Sequence, residues 1–176
     1  MAFIDLARER YSERNFAPTP LEPEKLQAIL EAGRIAPTAR NLQPQRTLVV
    51  QNAEGLAKID RCTRCRFGAP VVLVLTYDMT VASHNPDVVD FGIVDTSIAA
   101  THMMLQAAEL GVHSCWVGLI DPSELRRQFD IPRTHRIISV MPLGYPSEES
   151  HPSHMHEESQ PLERLVRYET FADHCA

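Results

Sequence analysis

From Asp95 to Gly118 the chain is apolar on nearly every side of a helical projection, and the remaining segments read as its support. Asp95 or Thr96 can cap a helix there, and Gly111 can end it in the left-handed conformation that other residues avoid. Roughly four turns fit between them. Ala99, Ala100, Met103, Met104, Ala107, Ala108 and Leu110 share one broad arc. The opposite arc, with Thr101, His102, Gln106 and Glu109, is interrupted by Ile98 and Leu105. So apolar a helix belongs at the centre of a fold, and its alanines let neighbours approach closely. After Gly111 the period changes, and Val112 to Val117 reads as a strand carrying Trp116, the only tryptophan.

Shorter patterns flank this stretch. Residues 3 to 9 form a helical repeat, with Phe3, Ile4, Leu6 and Ala7 available for packing. A second helix lies between Pro20 and Pro37, with Pro23 in its first turn and Leu26, Ile29, Leu30 and Gly33 at helical spacing. Leu48 to Val50 reads as a strand and Ala53 to Asp60 as a short helix. Ala69 to Thr76, a run of apolar and β-branched residues between turn signals, is a strand buried on both faces. Asp78 to Phe91, with Asn85-Pro86, is a surface excursion. Asp121-Pro122-Ser123-Glu124 starts a helix that runs to about Phe129. Arg136 to Leu143 is another buried strand, Gly144-Tyr145-Pro146 turns away from it, and the remainder is polar. Strands alternating with helices predict a layered α/β or α+β domain.

The chain has 176 residues, enough for one domain with a sizeable core. A net charge of -6 argues against a general nucleic-acid binder, which needs a basic face. No apolar run approaches the ~20 residues of a membrane span, and the N-terminus lacks a signal-peptide core. A cytoplasmic protein is the simplest expectation. The four cysteines, Cys62, Cys65, Cys115 and Cys175, are then expected as thiols.

Three segments carry candidate chemistry. In Arg10-Tyr11-Ser12-Glu13-Arg14, extended backbone would project Arg10, Ser12 and Arg14 to one side. Two guanidinium groups flanking a hydroxyl suit an anion, although a solvated charged turn would look the same. Thr38 to Gln45 is rich in amides, whose paired donors and acceptors suit the edge of a heterocycle, or ordinary turns. Cys62-Thr63-Arg64-Cys65 has redox or half-metal spacing, and His151, His154 and His156 could add ligands, but no defined scaffold joins them.

Together these pieces resemble the nitroreductase family of FMN-dependent oxidoreductases, particularly its short members. Arg10-Tyr11-Ser12-Glu13-Arg14-Asn15-Phe16 resembles the family's opening Arg-x-Ser-x-Arg-x-Phe, and residues 36–44 its Ala-Pro-Ser-Ala-x-Asn-x-Gln-Pro loop. Asp95 to Gly118 is similar to its central helix and Cys-Trp-Val-Gly strand, and Leu143-Gly144-Tyr145-Pro146 to its late strand and turn. The resemblance implies an α+β sandwich, a mixed sheet flanked by helices, in an intertwined homodimer with FMN at the interface. Residues 1–176 would form one domain, with 147–176 an extension packing on the partner subunit.

By position, the resemblance implies that Arg10 and Ser12 hold the phosphate and ribityl end, with Tyr11 between them also binding the cofactor, while Arg14 faces the N1/O2 side of the isoalloxazine. Asn41 and Gln43 would bond the pyrimidine edge, and Pro37, Thr38 and Ala39 would come from the second subunit. Trp116, Val117 and Gly118 would pass the ring, with a backbone N–H near N5. NAD(P)H would give hydride to the flavin and a small acceptor, such as a nitroaromatic or quinone, would take it from the same face. The chemistry would be the cofactor's, with no side-chain nucleophile or base required. Three positions depart from the family: Gln45 replaces a frequent aromatic, the segment after Asp78 lacks a tryptophan, and Ser159 and Gln160 replace a basic pair near the phosphate. The last departure implies weaker FMN retention. Alternatives are an FMN-dependent dehydrogenase or desaturase, a flavin carrier of low turnover, or a thiol- or metal-based redox protein using Cys62, Cys65 and the histidine tail.

Overall fold

Most helices and strands form where the hydrophobic pattern places them. A computed structural model describes residues 2–85 and 89–171. In order, it contains α1 (Phe3–Glu9), α2 (Pro23–Arg34), β1 (Gln45–Val50), α3 (Ala53–Cys62) and β2 (Val71–Asp78). A small hairpin, β3 (His84–Asn85) and β4 (Val89–Asp90), then leads into α4 (Phe91–Glu109). After it come β5 (His113–Ser114), α5 (Pro122–Gln128), β6 (His135–Gly144) and α6 (Leu162–Leu165).

The main sheet has four strands in the order β1-β2-β6-β5. Its ladders are antiparallel. The mixed character expected is confined to one parallel bridge, Ser12 to Ser114, at the β5 edge. Strand β2 shows why the sheet is covered on both sides. Val71, Leu73 and Leu75 enter a cluster with Leu26 and Ile29 of α2 and Ala99, Ala100, Met103 and Ala107 of α4. Val72 and Val74 point oppositely, into a cluster with Ile59 of α3 and Leu125 of α5. The result is a helix–sheet–helix sandwich with β2 and β6 at its centre.

Three details differ from expectation. Helix α4 begins at Phe91, and its cap is Asp90, whose Oδ1 accepts the Gly92 N–H at 3.1 Å. Asp95 and Thr96 lie inside the helix: Thr96 bonds back to the Gly92 carbonyl at 2.7 Å, and Asp95 reaches outward to a loop. The earlier start is fixed by a tertiary contact. Asp90 also accepts the Tyr77 hydroxyl and, at 3.0 Å, the Arg136 guanidinium. The expected strand from Val112 to Val117 shrinks to His113–Ser114, with Val117 rejoining β6 only through a bridge to Val140. Finally, Phe3 and Ile4 are 67% and 53% exposed, because no element among the described residues covers that side of α1.

The excursion after Asp78 is largely the β3–β4 hairpin, and Pro86 lies outside the described residues. Cys62, Cys65 and Cys115 are free thiols, and Cys175 also lies outside the described residues. Among the described residues no helix is long and apolar enough to cross a membrane.

Candidate functional site

The chain leaving α1 is extended, as the alternation of residues 10 to 14 requires. Ser12 pairs with Ser114 through the parallel bridge, and the Glu13 N–H donates to the Ser114 carbonyl at 3.0 Å. Arg10, Ser12 and Arg14 therefore line one side of a cavity of about 230 Å³ that Tyr11 also borders, with Ser153, Met155 and His156 opposite. Glu13 turns the other way and is buried. Cys115 lies near the two arginines, and its thiol faces the Trp116 carbonyl at 3.8 Å. Burial raises the Cys115 pKa, and the Arg14 and Arg10 charges partly oppose that rise.

Behind this strand lies a second polar cluster. The Glu13 carboxylate accepts the Arg14 and Asn15 N–H groups at 2.9 and 2.8 Å, and the Ser150 hydroxyl contacts both of its oxygens at 2.6 and 2.7 Å. His113 Nδ1 approaches the same carboxylate at 3.4 Å. Burial holds the His113 pKa below the usual imidazole value, more strongly than the Glu13 charge raises it. The Tyr11 ring meets His113 edge-on at 4.9 Å and His156 at 6.0 Å. Burial raises the Tyr11 pKa.

The amide loop follows α2. Arg40, Asn41 and Gln43 all have positive φ, at 55°, 57° and 52°. Non-glycine residues in that region are uncommon, and such strain clusters where function demands a shape. Two contacts hold it: Thr38 Oγ1 accepts the Gln43 N–H at 3.1 Å, and Asp95 Oδ1 accepts the Ala39 N–H at 2.9 Å. Asp95 Oδ2 is buried with no partner among the described residues. Pro37, Asn41 and Gln43 are exposed, and Thr38 and Ala39 half-buried.

Trp116 is half-buried, Val117 buried and Gly118 exposed. The Val117 N–H already donates to the Val140 carbonyl at 3.0 Å, so it is not available to a ring, and Gly118 has open space where a Cβ would stand. Ser159 and Gln160 are exposed and do not line the cavity; the tail residues that do are Ser153, Met155 and His156.

One chain does not bring the whole candidate site together. The amide loop is tied to α4 at Asp95, whereas Arg10 and Tyr11 share a cavity with Ala108 and Glu109 at the other end of α4. These attachment points are more than three turns apart, roughly 20 Å along the axis. No hydrogen bond or ion pair joins the two groups among the described residues.

The thiol and metal alternatives find little support. Burial pushes Cys62 up to about 11, the opposite of a reactive thiolate. Among the described residues, no group of three or more His, Cys, Asp and Glu side chains is arranged to hold a metal ion.

The Nitroreductase family model matches residues 7–67 and 66–145, which span the strand after α1, the amide loop, α4 and the Trp116 turn. The chain belongs to the nitroreductase family. A nitroreductase family protein of Clostridium difficile 630 has a similar structure, with a TM-score of 0.90 and 38% identity, covering 97% of this chain and 99% of that one. An NADH dehydrogenase of Thermus thermophilus is 30% identical over 200 residues, covering 91% of this chain and 92% of the relative. An FMN-dependent nitroreductase of Clostridium difficile R20291 has a TM-score of 0.80 and 26% identity, covering 96% and 99% of the two chains.

Sequence reasoning placed the family motifs but missed Glu13, His113 and Ser150. Glu13 stands between arginines in a charged run, the usual pattern of a solvated surface. Its strict alternation with Ser12 and Arg14 was the available signal that it faces inward.

Proposed function

We propose that this chain is an FMN-dependent oxidoreductase that moves hydride from NAD(P)H to a nitroaromatic, quinone or similar small acceptor, acting as a homodimer. The carrying observation is the cavity walled by Arg10, Ser12 and Arg14, a donor set suited to a phosphate and an electron-rich ring. The residues present fit FMN: the guanidinium groups and hydroxyl converge, the amide loop is held in a strained shape, and the Gly118 Cα faces open space. When bound, FMN supplies the centre that accepts hydride from the nicotinamide and passes it on.

The protein's own part is binding and orientation. Arg10 and Ser12, with Tyr11 beside them, would hold the phosphate and ribityl end, and Arg14 the N1/O2 side. Asn41 and Gln43 would satisfy the pyrimidine edge, which matches donors to acceptors only if the loop keeps its shape. Asp95 supports that shape by holding Ala39. Trp116, Val117 and Gly118 would form the wall beside the ring.

The separation of the two groups along α4 supports a site built from two copies, with Pro37, Thr38 and Ala39 of one meeting Arg10 of the other. The open face of α4 supports the same reading. Ile93 and Val94 are exposed there, while Ser97, Thr101 and His102 each bond the carbonyl four residues back. Such polar groups are already satisfied and tolerate burial against a second copy. Ser147, Ser150 and His156 contact their own chain, whereas Leu162, Leu165, Val166 and Tyr168 are exposed and would cover the partner.

Heat release of the chromophore should return FMN. Initial rates with NADH or NADPH should give parallel double-reciprocal lines, because one open face serves both substrates in turn. Recovery of FAD, absence of flavin, or intersecting lines would overturn the reading.

A further inference from the structure

The cavity beside Arg10 has two walls, and they come from distant parts of the chain. Arg10, Ser12 and Arg14 form one; Ser153, Met155 and His156 form the other. The second wall carries little regular structure, only a single 3-10 turn at His154–His156, and none of that turn's side chains is buried. Apolar packing therefore does not account for its position.

Glu13 supplies the connection. Its side chain is 1% exposed, so its charge must be met by donors inside the protein. Two are the backbone N–H groups of Arg14 and Asn15, which fix the carboxylate to the first wall. The third is the Ser150 hydroxyl, which touches both carboxylate oxygens at 2.6 and 2.7 Å and begins the second wall. His113 Nδ1, at 3.4 Å, closes the cluster from β5. The Tyr11 hydroxyl lies 3.4 Å from the Ser150 hydroxyl and can only supplement this link.

Charge complementarity does not explain a carboxylate here. A negative group behind an anion-binding strand repels a phosphate, so its contribution must be positional.

We propose that Glu13 is a positioning residue whose buried carboxylate latches Ser150, and with it the segment from 150 to 156, onto the Arg10–Arg14 strand, completing the cavity that takes the phosphate of the flavin. The inference rests on the flavin reading above and adds to it the device that assembles the phosphate end. Glu13 acts through the main chain of Arg14 and the placement of Met155 and His156, not by touching the ligand. From the second wall it is a serine, not a lysine or arginine, that meets the carboxylate. The latch therefore leaves the Glu13 charge in place while fixing the wall, and the cations of the strand are left to the ligand.

Ser150→Ala cuts the latch and keeps the Glu13 charge, whereas Ser150→Thr retains the hydroxyl. Dissociation constants for FMN and for riboflavin, which lacks the phosphate, are measured by fluorescence titration of the full-length protein. Hydrogen exchange is followed across residues 147–158. Ser150→Ala should weaken FMN about tenfold, leave riboflavin within about twofold, and speed exchange in that segment; Ser150→Thr should restore all three. Equal losses for both flavins would indicate a merely structural role and overturn the proposal. So would unchanged exchange, which needs no flavin and reads the latch directly. Wild-type protein that shows no preference for FMN over riboflavin would instead overturn the assignment of the cavity to a phosphate.

Discussion

In the proposed site, individual side chains divide into those that would offer charge to the flavin and those that hold them in place. Arg10 belongs to the first kind: it lines the cavity, and no salt bridge with an acidic side chain in the described residues claims its guanidinium. A hydrogen bond to a charged group contributes roughly 1.5–3 kcal/mol. Arg10→Ala should therefore weaken FMN binding by ten- to a hundredfold while leaving riboflavin nearly unchanged, as read by flavin fluorescence. His113 belongs to the second kind, and its effect is one of pH. Burial keeps its folded-state pKa below the usual value near 6.5, even with Glu13 beside it. Above that value both folded and unfolded chains leave it neutral. As pH falls below it, the unfolded chain takes up a proton that the folded chain resists, and stability declines until the folded pKa is reached. Thermal midpoints should drop as pH is lowered from 7 into this window. His113→Gln should flatten that decline, and an unchanged profile would show that another group is responsible.

At the level of elements, the start of α4 shows how tertiary contacts set a boundary. Asp90 caps the helix while accepting from Tyr77 and Arg136. Burial pushes its carboxyl up, but the Tyr77 hydroxyl, the Gly92 N–H and Arg136 outweigh this and hold it below the usual range. Gly92 completes the junction, because a Cβ there would stand 2.2 Å from the Tyr77 ring. That ring is rigid and fully buried, so it cannot give way. Gly92→Ala should destabilise the protein by about 1–3 kcal/mol, the cost of overpacking a dense interior. Chemical denaturation would measure it, and a loss below ~0.5 kcal/mol would mean that the junction relaxes freely.

For the whole molecule, assembly turns on the exposed face of α4 at Ile93 and Val94. A family-like dimer would bury on the order of 2,000 Å² or more, the range of obligate interfaces. Val94, exposed near the start of α4, sits on the face left open by this chain. If the proposed two-copy site is right, Val94→Asp should shift sedimentation from dimer to monomer and lower flavin content with it, since the two groups proposed to hold the flavin are attached at opposite ends of α4. A folded, flavin-loaded monomer at micromolar concentration would contradict the two-copy site.

Much of this protein follows from local sequence. The α5 start was legible because Asp121 needs only its own backbone to bond the Ser123 and Glu124 N–H groups. The burial of β2 on both faces was legible because a continuous apolar run has no polar side to show water. The Arg10–Ser12–Arg14 alternation was legible because extended backbone dictates sidedness. Tertiary structure decided the rest. Asp95 looked like a cap, and only the arrival of Ala39 at its carboxylate gave it another partner. Glu13 looked solvated, and only the convergence of Ser150 and His113 made burial tolerable. In each case the residue's chemistry was visible in the chain, but its partner lay many residues away. A polar group's fate depends on which donor reaches it, and that is set by packing rather than by its neighbours in sequence.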